Sequence, residues 1–264
     1  METNIEQQVS ETFNTIRTNI GFLGMDREMK VFLVTSSVKG EGKTTVSCRI
    51  AQAYVSMKKK VLLIDCDLRN PSVSRELGIY KHKGLVDLIM AERGDKECAE
   101  LTDFMVNANE YLDVITTGQR PPNPLELLSS RRIELILKHL RQYYDIILLD
   151  TPPVLIVSDA LSLQRLADGI LLVIKYGYTT TEMLIESKRL MEVVGVKPSA
   201  CILNGVPGMK KKNPYYGYFE YTGENTKKKT GRKKEPTAGF AADRKSKVQK
   251  PVGRKAGDYF RQVR

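Results

Sequence analysis

One segment constrains this chain more than any other: VFLVTSSVKGEGKTTVSCRIAQAY, residues 31–54. An apolar strand-like run enters Ser37-Val38-Lys39-Gly40-Glu41-Gly42-Lys43-Thr44, and a helix-forming stretch follows. The spacing is that of the phosphate loop GxxxxGK[ST], with Ser37 in place of the first glycine. Gly40 and Gly42 let backbone N–H groups turn inward around phosphate oxygens. The following helix presents the positive end of its dipole. Lys43 supplies a point charge to the β- and γ-phosphates, and Thr44 offers a hydroxyl to Mg²⁺. Lys39, Gly40, Glu41, Gly42, Lys43, Thr44 and Thr45 are therefore the expected nucleotide-binding set. The bland alternative is a glycine-rich turn that happens to hold Lys-Thr. A strand before it and a helix after it argue against that.

Two acidic strand ends accompany the loop. In Val61-Leu62-Leu63-Ile64-Asp65-Cys66-Asp67, two carboxylates close a buried strand, two residues apart. Parallel strands gather their carboxyl ends at one edge, where ligands of α/β sheets bind. A period of two sends both carboxylates to the same side if strand geometry persists. One could then serve Mg²⁺ while the other takes a proton. In Ile146-Ile147-Leu148-Leu149-Asp150, four apolar residues precede an acid, the pattern of a Mg²⁺-ligating residue in phosphate-loop proteins. Turn-capping aspartates are the bland reading of all three, since Asp is common in turns.

The rest of the chain fits this frame. Strand-like runs at Val31–Ser36, Val61–Asp65, Leu112–Thr116, Ile146–Asp150, Gly169–Ile174 and Ala200–Asn204 alternate with helical stretches at 44–58, 124–142, 158–167 and 180–195. Several runs are apolar without alternation, as strands buried on both faces are. The expected fold is α/β, a mostly parallel sheet with helices on both faces. Residues 4–20 read as a further helix, with Ile5, Val9, Phe13, Ile16 and Ile20 at helical spacing. The expected organisation is an N-terminal helical region at 1–28, a phosphate-loop domain at 29–208, and a flexible tail at 209–264.

Charge is placed unevenly. Residues 209–264 hold 17 Lys/Arg and 5 Asp/Glu, which leaves 25 and 26 of the 42 and 31 for residues 1–208. The body is neutral and the tail carries the excess, so an argument for a nucleic-acid-binding body fails. Within the tail lies an aromatic island, Tyr215-Tyr216-Gly217-Tyr218-Phe219-Glu220-Tyr221. Its bland reading is a sticky docking segment. The basic extension 222–264 reads as a solubilising arm or as an attraction to anionic lipid, and nucleic acid is the weaker reading. No apolar run reaches the roughly 18 residues of a membrane span. The polar, acidic start excludes a secretory signal. Cys48, Cys66, Cys98 and Cys201 show no metal spacing and are expected as buried thiols in a reducing cytosol. His82 and His139 are too few for a metal site.

Together these motifs resemble the deviant-Walker ATPases, and within that group the bacterial tyrosine kinases of capsule and exopolysaccharide synthesis. Asp65-Cys66-Asp67-Leu68-Arg69-Asn70-Pro71 is similar to their second Walker motif. Gln119-Arg120-Pro121-Pro122-Asn123-Pro124, Asp150-Thr151-Pro152-Pro153 and Ser158-Asp159-Ala160 match further segments. Residues 10–19 resemble their Glu-x-x-Arg-x-x-Arg oligomerisation helix through Glu11 and Arg17, with Asn14 in place of its first Arg. The tail island matches their tyrosine cluster. The resemblance implies ATP and Mg²⁺ as cofactors, with Lys43 and Thr44 on phosphate and metal. It implies that Asp65 and Asp150 organise Mg²⁺ and that Asp67 deprotonates the attacking tyrosine. It gives Tyr215, Tyr216, Tyr218 and Tyr221 as acceptors, and Asn204 as an adenine contact. It also implies a homo-oligomer, a cognate tyrosine phosphatase, and a membrane-embedded co-polymerase that activates the chain at the inner face of the cell membrane. Lys39 points elsewhere, because partitioning ATPases keep a lysine there. The rival functions are such an ATPase, cycling on membrane or DNA, and a nucleotide-sensing adaptor for polysaccharide export.

Overall fold

A computed structural model describes residues 2–207 except 26, 81–82 and 92–100. The tyrosine island, the basic extension, His82 and Cys98 lie outside the described residues. Among the described residues seven strands form one sheet: β1 (Val31–Ser36), β2 (Val61–Asp65), β3 (Val106–Asn109), β4 (Leu112–Ile115), β5 (Ile146–Asp150), β6 (Gly169–Lys175) and β7 (Ala200–Asn204). The order across the sheet is β3-β4-β2-β5-β1-β6-β7. All neighbours are parallel except β3, which runs antiparallel to β4 at the edge.

The helices are α1 (Glu2–Leu23), α2 (Lys43–Val55), α3 (Val73–Leu77), α4 (Leu85–Met90), α5 (Pro124–Ser129), α6 (Arg131–Leu140), α7 (Asp159–Leu163) and α8 (Thr181–Val193). Successive strand residues point to opposite faces, and both faces are covered. Phe32, Val34, Leu63, Leu148 and Val173 pack with Ile20 of α1 and with Val46, Ile50 and Tyr54 of α2. Val31, Leu33, Ile64, Leu149 and Leu172 pack on the other side with Leu85 of α4, Leu128 of α5, Leu137 of α6, Leu163 of α7 and Met191 of α8. That division explains why the strands read as unbroken apolar runs.

Four details depart from the sequence reading. The expected helix over 124–142 is two helices, because Ser130 turns extended (φ −68°, ψ 151°) between α5 and α6. The short helices α3 and α4 and the edge strand β3 were not expected. Strand Val106-Asn107-Ala108-Asn109 is polar and largely exposed, so it lacks an apolar signature. Cys48 and Cys66 are buried free thiols, but Cys201 on edge strand β7 is exposed, against the expectation of burial.

Candidate functional site

The carboxyl ends of β1, β2, β5 and β7 meet at one edge of the sheet. Parallel register sets Asp65 of β2 directly beside Asp150 of β5. From β1 the chain enters the loop 37–42, and α2 begins at Lys43. Gly40 and Gly42 both take left-handed backbone, with φ of 88° and 89°. A Cβ on Gly42 would stand 2.2 Å from Asn204 Nδ2, so only glycine fits there. Ser37, in the place of the first glycine, is buried, and its hydroxyl lies 2.8 Å from that of Ser187 on α8.

A second layer holds the loop from the side of β6 and β7. Lys175 Nζ donates to Gly40 O at 3.2 Å, and Tyr178 Oη donates to Lys39 O at 3.2 Å. Asn204 Nδ2 donates to Glu41 O at 2.9 Å. The Glu41 side chain is fully buried and turns away from the loop's open side. Its Oε2 accepts the Val38 N–H at 2.7 Å, and its Oε1 pairs with the Thr179 hydroxyl. The carboxylate of Glu41 thus braces the loop from behind, a role its sequence position gave no sign of. Lys39 and Thr45 are exposed.

The acids take distinct partners. Lys43 Nζ stands 3.1 Å from Asp67 Oδ2, both largely buried. Thr44 Oγ1 donates to Asp150 Oδ2 at 2.7 Å and lies 2.8 Å from Ser72 Oγ. Ser47 Oγ stands 3.1 Å from Asp150 Oδ1. Asp65 Oδ2 accepts the N–H groups of Ser72 and Val73, each at 3.0 Å. The strand geometry on which a shared side for Asp65 and Asp67 depended stops at Asp65, yet both carboxylates stay at this edge. Strand β2 ends at Asp65, and the Asp67 N–H turns back to Asp65 Oδ1 at 3.2 Å. That local turn sends Asp67 toward Lys43 and leaves Asp65 beside Asp150. Burial, and then the facing Asp150 carboxylate, push Asp65 above the ordinary carboxylate range. Burial raises Asp150 too, against the pull of Lys43.

These donors fit Mg²⁺. Two adjacent buried carboxylates and the Thr44 hydroxyl are hard oxygen ligands of the kind Mg²⁺ takes. Among the described residues no three His, Cys, Asp or Glu side chains form a metal cage. Mg²⁺ needs no such cage, since one or two carboxylates plus substrate phosphates commonly hold it. Elsewhere, Glu11 of α1 is exposed, while Arg17 donates to Ala53 O of α2 at 2.9 Å, which engages it inside the chain. Among the described residues no helix is long and apolar enough to cross a membrane.

Known proteins resemble this chain. A family model described as an AAA domain matches residues 29–194. The tyrosine-protein kinase YwqD of Bacillus subtilis (strain 168) is 38% identical over 212 residues, 80% of this chain and 86% of that protein. The tyrosine-protein kinase wzc of Salmonella typhimurium is 33% identical over 211 residues, 80% of this chain and 29% of its own length. Among solved structures, the kinase domain of the Escherichia coli tyrosine kinase ETK superposes with a TM-score of 0.70 at 33% identity. That match covers 79% of this chain and 80% of the other.

Proposed function

The chain belongs to the bacterial tyrosine-protein kinases, within the AAA-domain family, and on that footing we propose that it transfers the γ-phosphoryl group of ATP to its own C-terminal tyrosines in capsule or exopolysaccharide synthesis. The observation that carries this reading is the pairing of Lys43 with Asp67 at 3.1 Å, beside Asp65 and Asp150, at the edge where the phosphate loop opens. A tyrosine hydroxyl has a reference pKa near 10 and is a weak nucleophile when neutral. A carboxylate next to the γ-phosphate takes its proton as the new bond forms.

In this scheme the tyrosine oxygen bonds to the γ-phosphorus, and the bond from that phosphorus to the β–γ bridging oxygen breaks. The bridging oxygen leaves with the electron pair on ADP, and the phenolic proton passes to Asp67. Lys43 places its charge on the β- and γ-phosphates and in doing so leaves Asp67. Thr44, Asp65 and Asp150 would hold Mg²⁺, which supplies charge neutralisation when bound. Asn204 ends β7 against the phosphate loop. The tyrosines at 215, 216, 218 and 221 then begin about ten residues on, within roughly 33–36 Å of chain. The proposed acceptor is the tyrosine cluster of a neighbouring subunit.

The proposal includes activation in the cytoplasm by a separate membrane-embedded co-polymerase. A homo-oligomer, a cognate phosphatase and contact of the basic tail with anionic lipid complete the proposal. Incubation with γ-labelled ATP and Mg²⁺ tests it. Label on protein tyrosine is expected. Free phosphate without protein label would mean a partitioning-type ATPase, and neither product would mean an adaptor or a missing activator.

A further inference from the structure

We propose that Arg69 and Asp159 are positioning residues for phosphoryl transfer, because their ion pair ties the loop carrying Asp67 to helix α7. Arg69 Nε donates to Asp159 Oδ2 at 2.8 Å, and Nη2 donates to Oδ1 at 3.1 Å. This is a two-pronged fork, the strongest geometry that a guanidinium and a carboxylate form. The Asp159 side chain is fully buried, whereas Arg69 is 46% exposed. Among the described residues Arg69 is the one cation paired with Asp159. A carboxylate is taken out of water at high cost unless paired, so its placement at the first residue of α7 calls for a reason.

The connections of residues 66–72 supply that reason. Asp65 holds the loop's far end through Ser72 and Val73. Asp67 Oδ1 accepts the Asn70 N–H at 2.9 Å, a bond within the loop. Cys66 N–H donates to Asp150 O at 2.8 Å, which fixes the near end. Between these ends, Leu68 packs into the core, and two polar side chains join the loop to other elements: Asp67 to Lys43, and Arg69 to Asp159. In the proposed reaction the phosphates compete for Lys43. Asp67 then loses its outside partner at the moment when its position matters. Arg69, two residues on and next to the buried Leu68, then becomes the loop's remaining directional polar tie. The anchor point is well chosen, because α7 follows β5 and its Asp150 in the chain and packs through Ala160 and Leu163 into the core. The tether therefore sets the proton acceptor in register with the acid at the end of the neighbouring strand. Misplacing a catalytic group by about 1 Å costs about 10²-fold in rate.

This inference rests on the kinase reading, and the full-length chain tests both. Arg69→Lys keeps a cation beside Asp159 but loses the fork. Arg69→Met with Asp159→Leu removes both charges and strands neither. Thermal midpoint, MgADP affinity by calorimetry, and kcat and KM for ATP in tyrosine labelling are measured for each. The expected result is a folded protein with wild-type MgADP affinity and KM, and a kcat about 10- to 100-fold lower. A folded double variant with wild-type kcat overturns the proposal whatever its thermal midpoint, since the pair would then have no part in positioning. If the double variant fails to fold, Arg69→Lys decides: wild-type kcat overturns the proposal, and a fall in kcat with MgADP binding intact supports it. If wild type releases phosphate without labelling tyrosine, the kinase reading fails. The hydrolysis rate then decides separately, a fall in the variants supporting the tether and an unchanged rate overturning it.

Discussion

Replacing Lys43 with Met should weaken the fold measurably as well as abolish transfer, and the two effects should separate. Lys43 Nζ and Asp67 Oδ2 are 3.1 Å apart, with the two side chains only 13% and 4% exposed. At that distance and an effective dielectric of about 20, the Coulomb attraction is about 5 kcal/mol. Desolvation of both ions takes much of this back, but removing one partner strands the other, which typically costs about 3–5 kcal/mol. Asp67 keeps the Asn70 N–H, so the lower end applies, about 3 kcal/mol. For a domain of this size that lowers the melting midpoint by about 6–12 °C. Tyrosine labelling should fall by at least about 10²–10³-fold, the cost of losing one preorganised electrostatic contact to the transferring group. The added change Asp67→Asn should recover most of the lost stability and none of the activity. Calorimetry and labelling with γ-labelled ATP measure the two effects. A Lys43→Met protein with a wild-type midpoint would refute the buried-pair reasoning. One that labels at the wild-type rate would refute the role of Lys43.

Three other outcomes are expected. Asp67→Asn should lose labelling while binding MgADP nearly as wild type does, whereas Asp150→Asn should weaken MgADP binding as well, by calorimetry; equal binding and retained activity in both would reverse the role assignment. An inactive Lys43→Met chain with its tyrosines intact, mixed with an active chain whose tyrosines 215, 216, 218 and 221 are Phe, should gain phosphate. No gain, with wild type labelling at a concentration-independent rate, would mean transfer within one chain. Gln164 is buried with neither amide atom hydrogen-bonded, so Gln164→Met should stabilise the protein by about 1–2 kcal/mol in thermal or denaturant unfolding, and a loss of stability would show that the amide has a use.

The sheet was legible because its strands carry their burial in composition. Runs such as Ile146–Leu149 face apolar helices on both sides, and only strands so placed need four consecutive large apolar residues. The phosphate loop was legible because Gly40 and Gly42 hold backbone angles that other residues resist. Strand β3 was not legible, because an exposed edge strand needs no apolar side. The split between α5 and α6 hangs on one extended residue, Ser130, inside a continuous helical pattern. At the site, sequence brought Lys43, Asp65, Asp67 and Asp150 to one edge but could not tell how a two-residue step beyond a strand end would turn. The inward Glu41 was hidden for another reason: its partners Val38, Thr179 and Asn204 include residues up to 163 positions away. The Arg69–Asp159 pair spans 90 positions, and only the folded chain brings it together.

Mass-spectrometric mapping of phosphate on the full-length chain after incubation with MgATP, beside the Lys43→Met chain, tests the central claim most directly. The account predicts phosphotyrosine at Tyr215, Tyr216, Tyr218 or Tyr221 in the wild-type chain and none in the variant. ATP consumed with no phosphate on any tyrosine, or equal phosphotyrosine in both chains, would contradict it.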